Sequence, residues 1–281
     1  MSARVLLTGG TGKTGRRIGE RLRAAGFEVV AGSRRPAGPG SVRFDWLDPS
    51  THEAALAGVE RVYLVAPAMV EDPSGVMNAL VDRAIARGAR RFVLLSSSAI
   101  DENGPGLGAV ERHLREVAPG WTVLRPSWFM QNVLDEPNPH AASVARDGTI
   151  VTSTGDGRIG FIDVDDIAAV GARALGDPEA HNTAHVLTGP AALSYDDVAA
   201  ELSRQTGRAV RHVKVSDEEA RGRLERAGMP AAYAALLVRL DEGIRGGAED
   251  RVTDAVERVT GRAPRSFAAV VAEWVKQHAG A

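Results

Sequence analysis

The stretch Thr8-Gly9-Gly10-Thr11-Gly12-Lys13-Thr14-Gly15 decides the fold of this chain. It follows Val5-Leu6-Leu7, an apolar run with the length of a buried strand, and precedes Arg16 to Ala25, which has the apolar spacing of a helix. The glycines at positions 10, 12 and 15 satisfy G-x-G-x-x-G. At a strand-to-helix turn, such glycines let the backbone approach a pyrophosphate, which the unpaired N–H groups of the helix start attract.

The residues predicted to hold a pyrophosphate are Gly9, Gly10, Thr11, Gly12, Lys13, Thr14 and Gly15. Two other interpretations compete. Gly12-Lys13-Thr14 resembles the end of the triphosphate loop G-x-x-x-x-G-K-[ST], but Leu7 stands where that motif needs its first glycine. The glycines could instead serve only a tight turn. The place of the stretch between a strand and a helix favours dinucleotide binding.

Apolar runs and helical stretches alternate after this loop. Further strands are predicted at 28–31, 42–44, 62–65, 92–95 and 122–124, and helices at 50–57, 75–87 and 108–117. The helix at 50–57 would start with a capping box of Ser50 and Glu53. Alternation of this kind predicts an α/β fold, a Rossmann doubly wound parallel sheet with helices on both faces.

The pattern changes after Pro126. A loop is predicted at 135–140, and Asp147-Gly148 is read as a turn between short strands. Helices are predicted at about 194–206, 216–227, 230–246, 249–259 and 264–278. We therefore expect a core at 1–190, with an excursion toward the substrate at about 130–160. A smaller, mainly helical C-terminal substrate region should occupy 191–281.

The end of the second strand indicates which dinucleotide is bound. An acidic residue there would hold the ribose 2′-hydroxyl of NAD, but the sequence reads Ser33-Arg34-Arg35 and has no acid before Asp45. Two guanidinium groups and a hydroxyl suit a 2′-phosphate. The alternative interpretation is that the two arginines simply belong to a solvent-exposed loop. We predict NADP(H) as the cofactor.

Four segments carry a resemblance to a known family. They are the glycine stretch 8–15, the segment Phe44-Asp45-Trp46-Leu47-Asp48, the segment Leu124 to Asn132 (LRPSWFMQN), and the pair Gly155 to Arg158 and Phe161 to Ala168. Together they resemble the NmrA-like branch of atypical short-chain dehydrogenases. Within it, the chain is most similar to the festuclavine/agroclavine synthase-like reductases of ergot alkaloid pathways. The resemblance covers roughly residues 4–190.

This resemblance implies positions around the cofactor and the substrate. Asp45 and Trp46 should lie near the adenine, Ala66 and Pro67 should line the cofactor, and Ser96 should sit near the nicotinamide. Trp128, Phe129, Met130 and Asn132 should flank the substrate pocket, although Trp128 and Phe129 are equally well explained as core residues. Ligands of parallel sheets do bind at the carboxyl ends of strands.

The proton relay of ordinary short-chain dehydrogenases, Tyr-x-x-x-Lys, is absent. The chain has only Tyr63, Tyr195 and Tyr233, and none has a lysine four residues later. The helix expected to carry the pair offers no lysine. If a proton donor is needed, the candidates are Glu111, His113 and Ser97.

Three functions remain open. An iminium carbon accepts hydride without prior protonation, which favours an NADPH-dependent reductase of C=N bonds. A quinone likewise accepts hydride without prior activation, so a quinone reductase is the second possibility. The third is an NmrA-like regulator that binds NADP(H) without turnover.

The composition of the chain argues against several further classes of partner and site. The 281 residues carry a net charge of −2 and no cysteine, which argues against nucleic-acid and membrane surfaces and against thiolate metal sites. No metal is expected, since His181 and His185 read as a turn entering a strand. Ser96-Ser97-Ser98 lacks a nucleophile elbow. No signal peptide precedes the first strand, so a cytoplasmic protein with a small-molecule substrate is expected. Homo-oligomerisation is left open.

Overall fold

The computed structural model describes residues 3–70, 72–135 and 137–278. Its strands are β1 (Arg4–Leu7), β2 (Glu28–Ser33), β3 (Ser41–Arg43), β4 (Arg61–Val65), β5 (Arg91–Leu95), β6 (Trp121–Pro126), β7 (Thr149–Thr152), β8 (Arg158–Ile159), β9 (Thr183–Leu187), β10 (Leu193–Ser194) and β11 (Arg211–Lys214). Its α-helices are α1 (Lys13–Ala24), α2 (His52–Ala55), α3 (Ser74–Ala86), α4 (Leu107–Val117), α5 (Pro139–Asp147), α6 (Val164–Gly176), α7 (Tyr195–Thr206), α8 (Asp217–Arg226), α9 (Ala231–Arg245), α10 (Ala255–Thr260) and α11 (Phe267–His278).

A seven-stranded sheet forms the centre of the first compact unit, which comprises the described chain up to Pro126 together with Asp165–Val186. The strand order is β3-β2-β1-β4-β5-β6-β9, and the first six strands pair in parallel. This is the Rossmann order, whose direction reverses between β1 and β4. The predicted fold class is therefore confirmed.

Burial explains why the inner strands are continuous apolar runs. Leu6, Leu64 and Leu94 are 0% exposed, because helices cover both faces of the sheet. Met77 and Leu80 of α3 and Leu114 of α4 join the same core cluster. Each such side chain contributes roughly 1.5–3 kcal/mol on burial.

The second compact unit combines Ser127–Val164 with the chain from Leu187 onward. Two short sheets occur in it: β10 pairs antiparallel with β8, and β11 pairs parallel with β7. Its buried cluster includes Phe161, Tyr195 and Phe267. The boundary at residue 190 and the assignment of 191–281 to the substrate stay predictions.

Three local predictions were wrong. The helix expected at 50–57 is a 3₁₀ turn at Pro49–Thr51 followed by the short α2, because Asp48, not Ser50, caps the start. The helix expected at 249–259 begins only at Ala255. Gly148 does not turn between strands but ends α5 in the left-handed conformation.

None of the helices in the described part of the chain is long and apolar enough to cross a bilayer.

Candidate functional site

A cleft of about 620 Å³ opens at the carboxyl ends of β1, β2, β3 and β4 in the first unit. It brings together nine of the predicted cofactor residues: Gly9, Thr11, Ser33, Arg34, Arg35, Asp45, Trp46, Ala66 and Pro67. The other six, which do not line it, are Gly10, Gly12, Lys13, Thr14, Gly15 and Ser96. The cleft lies beside the point where the strand order reverses, where Rossmann sheets bind ligands.

The glycines of the loop have two different structural roles. A Cβ on Gly10 would lie 2.6 Å from the Cβ of Ala31, and a Cβ on Gly15 would overlap the carbonyl oxygen of Gly9. These two glycines therefore serve packing against β2 and within the loop. A Cβ on Gly12 would meet only the Gly9 oxygen, at 3.3 Å.

The start of α1 is open to an anion. Gly12 is the N-cap and has no side chain to satisfy the first N–H groups, and the first turn contains no acidic residue. Unpaired N–H groups and the positive end of the helix dipole favour a phosphate at such a position.

Thr14 points its hydroxyl away from this opening. The Tyr63 phenol on β4 donates a hydrogen bond of 3.0 Å to Thr14 Oγ1, and both side chains are buried. Burial raises the pKa of the Tyr63 phenol well above its usual value, so the phenol remains a donor. The Thr14 side chain thus fastens the first turn of α1 to the sheet.

The end of β2 presents two guanidinium groups to the cleft. Arg34 and Arg35 line the cleft and are exposed. Across the described ranges, neither side chain forms an ion pair with a carboxylate. The Ser33 hydroxyl accepts a hydrogen bond of 3.2 Å from the Arg35 N–H, which shapes the turn that carries them.

The turn after β3 closes the other side of the cleft. Asp45 Oδ1 accepts a hydrogen bond of 3.0 Å from the Leu47 N–H. The Trp46 indole N–H donates to the Val65 carbonyl at 3.0 Å, and its ring lies edge-on to Phe44 at 5.1 Å. Trp46 is therefore a wall of the cleft that is anchored to β4.

Ser96 follows β5 and is 8% exposed. Its Oγ is buried and finds no hydrogen-bond partner among the residues that the structure describes. Buried hydroxyls are usually satisfied, so this oxygen is available to a water or a ligand after a small local movement.

Two of the three proton-donor candidates are already engaged. The Glu111 carboxylate is 0% exposed and accepts hydrogen bonds from Arg115 at 2.5 Å and from Arg125 at 2.6 Å. His113 Nε2 lies 2.7 Å from Asp82 Oδ1, on the α3–α4 side of the unit. Ser97 alone lies at a strand end, just past β5, where its Oγ accepts from the Ala99 N–H at 3.3 Å.

The predicted substrate residues lie in the second unit. Trp128 and Phe129 are partly exposed, and Met130 is 1% exposed. Phe129 forms a parallel β-bridge with Ile162, and a 3₁₀ turn at Met130–Asn132 follows. Met130 also lines a cavity of about 440 Å³ together with Leu193 and Phe267. Met130 thus both packs in the buried cluster of the second unit and lines a cavity there.

His181 and His185 face each other. His181 Nδ1 lies 3.0 Å from His185 Nε2, and His181 Nε2 lies 3.1 Å from Asp177 Oδ2. The histidine pair therefore lies in a chain of hydrogen bonds that ends at a carboxylate.

Seven cleft residues were not predicted. They are Thr8, Gly32, Phe44, Leu47, Val65, Ala68 and Val70. All but Val70 directly flank a predicted residue at a strand end, so extending the prediction by one position would have found six of the seven.

Comparisons with known proteins identify the family and the fold. Residues 9–178 match the NAD(P)H-binding family. The chain is 46% identical over 266 residues to uncharacterized oxidoreductase YesF of Bacillus subtilis, covering 94% of this chain and 92% of that protein. It is 40% identical over 280 residues to agroclavine dehydrogenase of Claviceps fusiformis, covering 96% of each. Its fold is similar to that of the NADPH-dependent quinone oxidoreductase QOR2 of Escherichia coli, with a TM-score of 0.81 at 24% identity, covering 96% and 99% of the two chains.

Fold and comparisons together define an NAD(P)H-binding oxidoreductase of the Rossmann class. The chain belongs to the NAD(P)H-binding family, in the group that contains the agroclavine and festuclavine dehydrogenases. The motif resemblance is thereby confirmed.

Proposed function

We propose that this protein is an NADPH-dependent reductase that delivers hydride to an activated double bond, the C=N of an imine or iminium. The observation that carries the proposal is the cleft beside the glycine loop, in which Arg34 and Arg35 form no ion pair with any carboxylate of the residues that the structure describes. Phosphate is the ligand that planar guanidinium groups pair with best.

The residues present fit the cofactor at each of its parts. The open N-terminus of α1, with Gly9 to Gly15, would hold the pyrophosphate. Ser33, Arg34 and Arg35 would hold the 2′-phosphate, and Asp45 and Trp46 would border the adenine. Ala66 and Pro67 would line the dinucleotide, and Ser96 would lie near the nicotinamide. When bound, NADPH supplies a hydride.

The number of protons that the reaction requires favours an iminium as the acceptor. Addition of hydride to an iminium carbon yields a neutral amine, and no proton transfer is required. The Tyr63 phenol is buried and hydrogen-bonded to Thr14, and Lys214 forms ion pairs with Asp156 and Asp196. Neither side chain therefore belongs to a proton relay. The resemblance to ergot alkaloid reductases supports the same acceptor. Trp128, Phe129, Met130 and Asn132 are proposed to contact the substrate.

The test is NADPH oxidation, followed at 340 nm, with a panel of cyclic imines and then of quinones. We expect turnover with imines, and product amine in a one-to-one ratio to NADPH consumed. Turnover with quinones but not with imines would show that the protein is a quinone reductase and not an imine reductase. In that case hydride transfer gives the hydroquinone anion, one proton must also be supplied to it, and Ser97 would be the first residue to replace.

A sensor of NADP(H) is the second candidate, because the Tyr-x-x-x-Lys pair is absent and Glu111 is locked in ion pairs. Submicromolar binding of NADPH without oxidation by any acceptor would favour the sensor over the reductase.

A further inference from the structure

His52 connects the adenine side of the cleft to helix α3. The imidazole is 3% exposed and stacks on the Phe44 ring, with 5.0 Å between centroids and 21° between planes. Its Nε2 lies 2.8 Å from the Asp45 carbonyl oxygen, and its Nδ1 lies 3.0 Å from Arg83 Nη1.

These contacts determine which nitrogen carries the proton. The Arg83 guanidinium has only donors, so His52 Nδ1 must accept. The proton therefore sits on Nε2 and is donated to the Asp45 carbonyl. The position of His52 is set from three sides by Phe44, Arg83 and Asp45.

The turn that His52 holds is the one that borders the adenine in the proposed function. Asp45, Trp46 and Leu47 all line the cleft. Thr51 adds a second tie, because its hydroxyl accepts from the Asp45 N–H at 3.0 Å. The Asp45 Oδ1 is occupied by the Leu47 N–H at 3.0 Å, which orients the carboxylate within the turn.

We propose that His52, anchored by Arg83, is a positioning residue that sets the Asp45 carboxylate to accept a hydrogen bond from the 6-amino group of the cofactor's adenine. This inference rests on the proposed function. A carboxylate accepts from an amino group but repels a carbonyl oxygen. The protein should therefore discriminate against hypoxanthine in place of adenine, and His52 should be required for that discrimination.

The experiment compares NADPH with its hypoxanthine analogue, deamino-NADPH, by calorimetric titration of the full chain. The wild type should bind NADPH roughly tenfold more tightly, the value of one good hydrogen bond. His52→Phe keeps a ring on Phe44 but loses the donor, and its ratio should fall to within about twofold of one. His52→Gln places an amide N–H near the position of Nε2, and should keep most of the preference.

A structural role alone would weaken both ligands equally and leave the ratio unchanged, and that result in His52→Phe would overturn the inference. A wild-type ratio of one would overturn it as well. Melting temperatures of the two variants serve as the folding control. Failure of the wild type to bind either dinucleotide would instead contradict the proposed function, so the two failures are distinguishable.

Discussion

Gln131 Nε2 donates a hydrogen bond of 2.7 Å to Asp163 Oδ1 in the second unit. The Gln131 Oε1 accepts from the Val164 N–H at 3.1 Å, and Arg265 Nη1 lies 2.8 Å from Asp163 Oδ2. Two of the sequence segments that carry the family resemblance therefore meet at one buried carboxylate. This contact holds the start of α6.

Replacing Asp163 should cost much of the stability of this region. Asp163→Ala removes the carboxylate that accepts from Arg265 Nη1 and Gln131 Nε2, while Arg265 keeps its ion pair with Glu273, and we expect a loss of about 2–3 kcal/mol in the free energy of unfolding. Urea denaturation measures it. The matched control is Asp165→Asn, since Asp165 pairs with Arg17 and Arg21 near the surface and should cost under about 1 kcal/mol. Equal losses would contradict the assignment.

The arginines after β2 should determine cofactor choice. In Arg34→Gln/Arg35→Gln we expect the Kd for NADPH to rise at least about tenfold, because charge-assisted hydrogen bonds to the 2′-phosphate are lost. The Kd for NADH should stay the same. Arg223→Gln, on exposed α8, is the control for a general charge effect. Parallel weakening of both dinucleotides would remove the arginines from the 2′-phosphate site.

The two roles of the loop glycines can be separated. Gly15→Ala forces a Cβ onto the Gly9 carbonyl and should lower the free energy of unfolding by about 1–3 kcal/mol. Gly12→Ala meets only a contact at 3.3 Å, so stability should be nearly unchanged while NADPH affinity falls. Thermal melts with and without NADPH test both. A Gly12→Ala variant with unchanged affinity would contradict the phosphate site.

Glu111 should prove to be a structural residue. Glu111→Ala leaves Arg125, which is 13% exposed, with only the Glu102 carboxylate at 3.4 Å and should cost about 2–3 kcal/mol. The double variant Glu111→Leu/Arg125→Met should recover part of that loss. If Glu111→Gln instead kept its melting temperature and lost turnover, a role as proton donor would be favoured.

The stability of the protein should fall in mild acid through His140. Burial, with a smaller contribution from His212, lowers the pKa of His140 from 6.5 to about 4. The unfolded chain therefore takes up a proton between these values that the folded chain does not. The contribution is fully present above pH 6.5 and decreases as the pH falls toward 4, by up to about 3 kcal/mol.

Unfolding free energies measured at pH 7 and pH 4.5 test this dependence. His140→Leu should flatten it, whereas His278→Gln, on the exposed end of α11, should not. An unchanged slope in His140→Leu would assign the acid sensitivity to other groups.

The sheet was predictable because its strands are buried on both faces and read as short apolar runs between glycine-rich turns. Helix α5 was missed although its signals are present: Asn138 caps it, Pro139 occupies the first turn and Gly148 ends it. Its first two residues lie in the stretch 135–140, whose Pro and Asn also suit a loop, and propensity alone does not separate the two.

The cleft residues were predictable from strand ends, but the directions of their side chains were not. Thr14 lies in the phosphate loop by sequence, and only packing shows that its hydroxyl faces Tyr63, 49 residues away. The pairing of Glu111 with Arg125 and of His52 with Arg83 likewise joins residues distant in the chain. Local patterns carry no information on such contacts.

The glycine loop and the arginine pair differ in how they are tied to the rest of the molecule. Gly10 and Gly15 pack against neighbouring atoms so closely that no side chain fits, whereas the guanidinium groups of Arg34 and Arg35 extend from an exposed turn and bind none of the described carboxylates. If the proposed function holds, coenzyme preference is therefore separable from folding. Substitutions in the turn after β2 would exchange one nicotinamide cofactor for the other at little cost in stability, whereas a side chain at Gly10 or Gly15 would disturb the fold itself.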